Sequence, residues 1–144
     1  MRLVMPRLYV ILDAGMLTGP ARDIARKLIE AGIRILQYRD KKAAARDLWS
    51  TSSAIAEVAR GTACSFFVND RPDVAYLAGA SGVHVGQEDL PVEQARALVG
   101  PAQWVGVSTH NLKQFEEAAA TSADYIAVGP VFPEHGCQRR TRQQ

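Results

Sequence analysis

The feature that most constrains this chain is a regular alternation of short β-rich runs and longer helical segments. Runs of branched and aromatic residues predict six strands, at residues 8–12, 33–39, 63–70, 82–87, 103–110 and 124–130. Segments with helical periodicity follow the first five strands, and prolines or glycines mark their ends, as at Pro91 and Gly100. A strand that recurs roughly every 20 to 25 residues, with a helix in between, predicts parallel strands joined by right-handed crossovers. We therefore predict an α/β fold.

Two α/β architectures are compatible with this alternation, a doubly wound sheet and a TIM (β/α)8-type barrel. The first predicted strand runs into the letters DAGML, which lack the glycine-rich phosphate turn of a dinucleotide-binding sheet. Polar side chains instead recur at the carboxyl ends of the later strands, and ligand groups spread around that rim are typical of a barrel. Six strands instead of eight predict an incomplete barrel in which strands seven and eight are missing.

Composition excludes several classes of protein. The length of 144 residues predicts a single domain, and no apolar run approaches the roughly 18 to 20 residues that span a bilayer. Residues 134–144 contain one acidic and three basic residues, so the net charge of +2 lies in that segment and the remainder is neutral. A neutral body predicts no nucleic-acid surface. Cys64 and Cys137 suit neither a disulfide framework nor a metal site, which predicts a cytoplasmic protein.

The second predicted strand ends in three polar residues at alternate positions, Gln37, Arg39 and Lys41. An extended segment projects alternate side chains to one side, so these three converge. An arginine fork, a lysine point charge and an amide together suit a phosphate-bearing ligand. The alternative is a solvated loop whose charges are incidental.

The next three strands end in groups that suit a hard cation and a phosphate. Asn69 and Asp70 end the third predicted strand, and Asp89 follows the fourth. Carboxylates on adjacent strand ends can share one Mg²⁺, although Asn and Asp are also common turn and capping residues. Ser108 adds a hydroxyl at the end of the fifth strand, whereas we interpret His84, inside the fourth strand, as a core residue. The set contains no convincing catalytic nucleophile and favours Mg²⁺-assisted handling of a diphosphate.

Four stretches, in this order and spacing, resemble the thiamine-phosphate synthase family: LQYRDK, VNDRPDVAYLAGASGVHVGQEDL, VGVSTHN and DYIAVGPVFP. The resemblance covers about residues 7–133. It implies a (β/α)8 barrel and an Mg²⁺-dependent transferase of thiamine biosynthesis. Such an enzyme joins 4-amino-2-methyl-5-(diphosphooxymethyl)pyrimidine to a thiazole phosphate and releases pyrophosphate. The implied mechanism is dissociative: pyrophosphate leaves first, and the thiazole nitrogen attacks the resulting pyrimidinylmethyl cation.

The resemblance also implies roles for individual residues. It assigns the pyrimidine diphosphate to Gln37, Arg39, Lys41, Asn69 and Ser108, and Mg²⁺ to Asp70 and Asp89. The sequence departs from the family after residue 133, where a Thr-x-Thr-Lys type segment would contact the thiazole phosphate. The corresponding positions here, Glu134, His135 and Gly136, provide no such lysine.

The departure divides the chain into a partial synthase-like barrel, residues 1–133, and a disordered basic tail, residues 134–144. We expect a C-terminally truncated synthase, produced by a frameshift or a premature stop in preference to an evolved short form. Unpaired barrel edges would then favour self-association. Two alternatives stay open: a thiazole tautomerase-like protein, and a non-catalytic remnant that binds the pyrimidine diphosphate.

Overall fold

A computed structural model describes residues 2–132, which form one parallel sheet with helices packed on its outer face. The strands are β1 (Val10–Asp13), β2 (Ile35–Arg39), β3 (Ser65–Asn69), β4 (Gly82–Val85), β5 (Trp104–Thr109) and β6 (Tyr125–Val128). The helices are α1 (Ala21–Glu30), α2 (Ala45–Ala59), α3 (Pro72–Ala78), α4 (Val92–Val99) and α5 (Leu112–Ala119). The strands pair in chain order, and every pair is parallel. The predicted incomplete α/β barrel, with six βα strands, is confirmed.

Side-chain alternation along the strands divides the sheet into two faces. Leu36, Val68, Val83 and Val105 point outward into one apolar core with the helices, and each is fully buried. Gln37, Phe67, His84 and Gly106 occupy the intervening positions and face the opposite, concave side. Burial of both faces in β2 and β4 explains why these strands read as nearly continuous apolar runs.

Local signals account for the helix ends. Gly79 ends α3 with a left-handed φ of 69°, and the Asn111 side chain caps α5 by accepting a 2.9 Å hydrogen bond from the Gln114 amide. Pro20 and Pro91 stand at the N-cap positions of α1 and α4, immediately before the first helical residue.

Strong curvature brings the first and last strands together. The rings of Tyr9, which precedes β1, and Tyr125, in β6, have centroids 5.9 Å apart. Five strand spacings in a flat sheet would separate these strands by about 24 Å. The sheet is therefore curled into a half-barrel whose concave face is lined by both ends of the strand order.

Two glycines make room for aromatic rings on the concave face. A Cβ at Gly82 would overlap the ring of Phe67, and a Cβ at Gly106 would overlap the ring of Tyr125. The Phe67 and Tyr125 rings meet edge to face with centroids 5.6 Å apart. Small residues on β4 and β5 thus allow a layer of aromatic rings to fill the interior.

The outer strands of the sheet each have one neighbour within residues 2–132: β1 pairs with β2, and β6 pairs with β5. Apolar side chains near both edges are exposed, including Ile11, Val128 and Phe132. Over the same residues, no helix combines the length and the apolar character that crossing a membrane requires.

Candidate functional site

A cavity of about 560 Å³ opens at the carboxyl ends of the strands. The strands are parallel and in chain order, so residues that follow each of them meet at this one edge. All but one of the residues predicted to hold the diphosphate and the metal line it: Gln37, Arg39, Lys41, Asn69, Asp89 and Ser108. The exception, Asp70, adjoins the cavity through an ion pair with Lys41.

The two cations differ in how firmly they are held. The Lys41 ammonium donates to the Asp70 carboxylate at 2.6 Å, whereas the Arg39 guanidinium lies 3.9 Å from Asp13. Both side chains are about half exposed, so their charges are available to a ligand that enters from solvent. The rim therefore offers positive charge that a phosphorylated ligand can recruit without first breaking a buried pair.

Asp70 adopts a left-handed backbone conformation, with φ of 61°, alone among the non-glycine residues of segment 2–132. Its amide donates a 2.7 Å hydrogen bond to the His84 carbonyl, which ties the end of β3 to β4. Uncommon backbone conformations concentrate at functional sites because the surrounding structure must maintain them. This conformation marks Asp70 as a candidate functional residue.

Asp70 and Asp89 follow adjacent strands, but each already has a polar partner. Asp89 accepts a 2.6 Å hydrogen bond from the Gly86 amide, and Asp70 pairs with Lys41. Between residues 2 and 132, no group of three or more His, Cys, Asp or Glu side chains could hold a metal by itself. Mg²⁺ characteristically takes one or two protein carboxylates and completes its shell with water and substrate phosphates. The two aspartates fit that kind of site.

A chain of hydrogen bonds, which the sequence did not indicate, forms the floor of the cavity. Gln37 Nε2 donates to the Tyr9 hydroxyl at 2.9 Å, and the Tyr9 and Tyr125 hydroxyls lie 2.8 Å apart. The Tyr125 hydroxyl is 2.7 Å from His84 Nδ1, and His84 Nε2 is 2.6 Å from Ser108 Oγ. His84, interpreted from the sequence as core, is indeed buried and hydrogen-bonded, but it also lines the cavity.

Burial sets the charge state of this floor. It lowers the pKa of His84 from 6.5 to about 4, against a smaller opposing effect of Asp89. Burial likewise raises the pKa of Tyr9 and that of Tyr125. The floor is therefore uncharged near neutral pH, in contrast to the charged rim above it.

The two histidines of the described region take different positions. His84 lies on the floor of the cavity, where its Nε2 contacts Ser108. His110 lies on the rim, where its Nδ1 is 2.8 Å from the Gly129 carbonyl oxygen. The predicted thiazole-phosphate positions, Glu134, His135 and Gly136, lie outside the described residues.

The fold and the site define a parallel α/β half-barrel with a cationic ligand pocket at the carboxyl ends of its strands. The family model for thiamine monophosphate synthase matches residues 8–140. The chain belongs to this family. The match runs past the domain boundary predicted at residue 133, and that boundary stays a prediction.

Individual relatives agree with the family match. The chain is 42% identical over 136 residues to a thiamine-phosphate synthase of Koribacter versatilis, covering 90% of this chain and 64% of that protein. It is 43% identical over 130 residues to the thiamine-phosphate synthase of Shouchella clausii, covering 88% and 61%. A solved thiamine phosphate pyrophosphorylase from Pyrococcus furiosus superposes with a TM-score of 0.78 at 35% identity, over 87% of this chain and 60% of that one. The chain thus spans less than two thirds of the length of these relatives.

Proposed function

We propose that this chain acts as a thiamine-phosphate synthase, joining 4-amino-2-methyl-5-(diphosphooxymethyl)pyrimidine to a thiazole phosphate with release of pyrophosphate. The observation that carries the proposal is the convergence of Arg39, Lys41, Asn69, Asp89 and Ser108 on one cavity. A diphosphate needs several cations and hydrogen-bond donors at once; Arg39 and Lys41 supply the cations, Asn69 and Ser108 supply the donors, and Asp89 adds a carboxylate suited to Mg²⁺. Membership of the family supports the same reading.

In the proposed reaction, the bond between the pyrimidine methylene carbon and the diphosphate oxygen breaks, and its electron pair leaves with pyrophosphate. The thiazole nitrogen then forms the new bond to that carbon. Arg39 and Lys41 stabilise the negative charge that develops on the leaving group, and Asn69 and Ser108 orient its oxygens. No step in this sequence needs a protein nucleophile.

We assign Mg²⁺ to Asp70 and Asp89. When bound, the ion would offset the negative charge of the diphosphate and of the developing pyrophosphate. The position of the two aspartates after the paired strands β3 and β4 supports the assignment, whereas the 2.6 Å contact makes Lys41 a competitor of Mg²⁺ for Asp70. Lys41→Met should therefore weaken pyrophosphate binding while making Asp70 more accessible to Mg²⁺ alone.

Calorimetry with the pyrimidine diphosphate, with and without Mg²⁺, tests the ligand and the metal together. We expect Asp70→Ala to weaken Mg²⁺-dependent binding by about tenfold or more. Asp73→Ala is the matched control, because Asp73 pairs with Arg71 and does not line the cavity. Equal affinities for the two variants would contradict the metal assignment.

A coupling assay with both substrates and Mg²⁺ tests the reaction itself. Formation of thiamine phosphate by the wild-type chain, reduced in Asp89→Ala, is the expected result. Binding of the pyrimidine diphosphate without any product would contradict the transferase proposal and favour the binding role. Failure to bind would contradict both.

Three further assignments complete the proposal. The ligand-binding unit lies within residues 1–133, the predicted tail, residues 134–144, lies outside the described residues, and the protein works in the cytoplasm, where phosphorylated intermediates are retained. Two copies associate through the sheet edges, where Ile11 is 52% exposed and Val128 is 59% exposed. Light scattering over a range of concentrations should detect an associated species, which Val128→Lys should weaken. A monomer at every concentration would exclude the association.

A further inference from the structure

We propose that Tyr125 and His84 are positioning residues that fix the direction of the hydrogen-bond chain at the floor of the cavity. In that direction, the Ser108 hydroxyl is free to donate its hydrogen into the cavity, to an anionic oxygen such as that of a phosphate. The identity of the ligand rests on the proposed function. The direction of the chain rests on hydrogen-bonding geometry alone.

The direction is set at the Gln37 end. Gln37 is 97% buried, and its amide nitrogen can only donate, so the Tyr9 oxygen accepts this bond. Within residues 2–132, the polar partners of the Tyr9 hydroxyl are Gln37 and Tyr125. The single Tyr9 hydroxyl hydrogen is therefore directed to the Tyr125 oxygen.

The same reasoning continues along the chain. Since the Tyr125 oxygen accepts from Tyr9, its own hydrogen is donated to His84 Nδ1, 2.7 Å away. A neutral imidazole carries one hydrogen, and Nδ1 is now the acceptor, so the hydrogen lies on Nε2. His84 Nε2–H then donates to Ser108 Oγ at 2.6 Å.

The opposite direction leaves a partly buried donor without an acceptor among the described side chains. If Ser108 donated to Nε2, His84 Nδ1–H would donate to Tyr125, and Tyr125 would donate to Tyr9. The Tyr9 oxygen would then accept two bonds while its own hydrogen had no acceptor among these residues. Buried hydroxyl groups seldom remain unpaired because the loss of hydration is not compensated. Packing of the Tyr125 ring over Gly106 holds its hydroxyl in place for the favoured direction.

The consequence at Ser108 is a hydroxyl whose oxygen accepts from His84 and whose hydrogen remains available. Ser108 lines the same cavity as Arg39 and Lys41, so a hydrogen donated into that cavity adds to their attraction for an anion. Donation by Tyr9, Tyr125 and His84 in sequence strengthens each following donor by polarisation. An oxygen of a phosphate or diphosphate is the acceptor that fits these surroundings.

Nitrogen NMR of the histidine side chains tests the direction in the wild-type chain without any ligand. The nitrogen shifts of His84 distinguish the two neutral tautomers, and we expect hydrogen on Nε2 near pH 7. Hydrogen on Nδ1 would overturn the inference. Tyr125→Phe keeps the ring and removes the donor to Nδ1, so the preference for one tautomer should be lost. Tyr76→Phe, the same change at a residue 60% exposed, should retain the wild-type tautomer.

Binding of inorganic pyrophosphate with Mg²⁺ tests whether the chain acts through Ser108. We expect Ser108→Ala to weaken binding about tenfold and Tyr125→Phe about threefold, since one hydrogen bond is lost or misdirected. In the Ser108→Ala background, Tyr125→Phe should have no further effect. A full threefold effect in that background would overturn the positioning role.

The two measurements separate this inference from the proposed function. If the wild-type chain has hydrogen on Nε2 but binds no pyrophosphate, the proposed function fails and the ligand assignment fails with it, while the direction of the chain stands. If it binds pyrophosphate and has hydrogen on Nδ1, the proposed function survives and the positioning inference is wrong.

Discussion

The buried imidazole of His84 predicts a specific dependence of stability on pH. Burial lowers its pKa from 6.5 to about 4, and at 8% exposure there is little solvent screening to discount. One pKa unit corresponds to about 1.4 kcal/mol, so the neutral imidazole contributes about 3 kcal/mol relative to the protonated one. Between the two pKa values, the unfolded chain binds the proton and the folded chain does not. The contribution is thus complete above pH 6.5 and lost as the pH falls to about 4.

Urea unfolding of the wild-type chain and of His84→Gln at several pH values measures this contribution. Carboxylates elsewhere titrate in both proteins, so the difference between the two unfolding free energies isolates His84. The difference should be constant above pH 6.5 and should shift by about 3 kcal/mol, against the wild type, on acidification to about pH 4. A difference that stays level over this interval would refute the conclusion that the site holds a neutral imidazole.

Two further predictions concern the packing and pairing that support the pocket. Gly106→Ala places a Cβ in the Tyr125 ring and should lower the free energy of unfolding by about 1 to 3 kcal/mol. Gly19→Ala, where a Cβ meets no neighbour within 4 Å, is the control in the same urea assay, and equal losses would contradict the overlap. Arg96→Met breaks the 2.5 Å ion pair with Asp124 and two hydrogen bonds from Arg96 to the Gly100 and Gln103 carbonyls, and should cost about 2 to 3 kcal/mol, because several partly buried acceptors lose their donor together. A loss below about 0.5 kcal/mol would place this pair among ordinary surface pairs.

The fold and the rim of the pocket could be predicted from the sequence because both follow from local order along the chain. Strand ends are marked by a change from apolar to polar residues, as at Asn69 and Ser108. Parallel strands in chain order then bring those ends to one edge without any knowledge of curvature. The ion pair between Lys41 and Asp70 was not predicted, because it depends on the left-handed turn at Asp70.

The floor of the pocket could not be predicted because it depends on curvature. Tyr9 and Tyr125 are separated by 116 positions and by four intervening strands, so nothing local in the sequence indicates that they meet. One signal was available: His84 lies two residues after Gly82, and Ser108 two residues after Gly106. A glycine on the same face as a polar residue, inside a strand otherwise rich in valine, suggests a large side chain packed opposite.

Under the proposed function, rim and floor contribute to ligand binding in physically different ways. Lys41 and Arg39 are about half exposed, so salt in the solvent screens their attraction for a phosphate and lowers affinity without changing geometry. Ser108 is connected through His84 to a buried, uncharged layer, where screening is weak and position is fixed by packing. Cations at the mouth of the pocket therefore favour the capture of any phosphorylated molecule, because charge attraction depends little on shape. The floor of the pocket is expected to select among such molecules. The directed hydrogen bond from the Ser108 hydroxyl forms only when the ligand places an acceptor oxygen at one position.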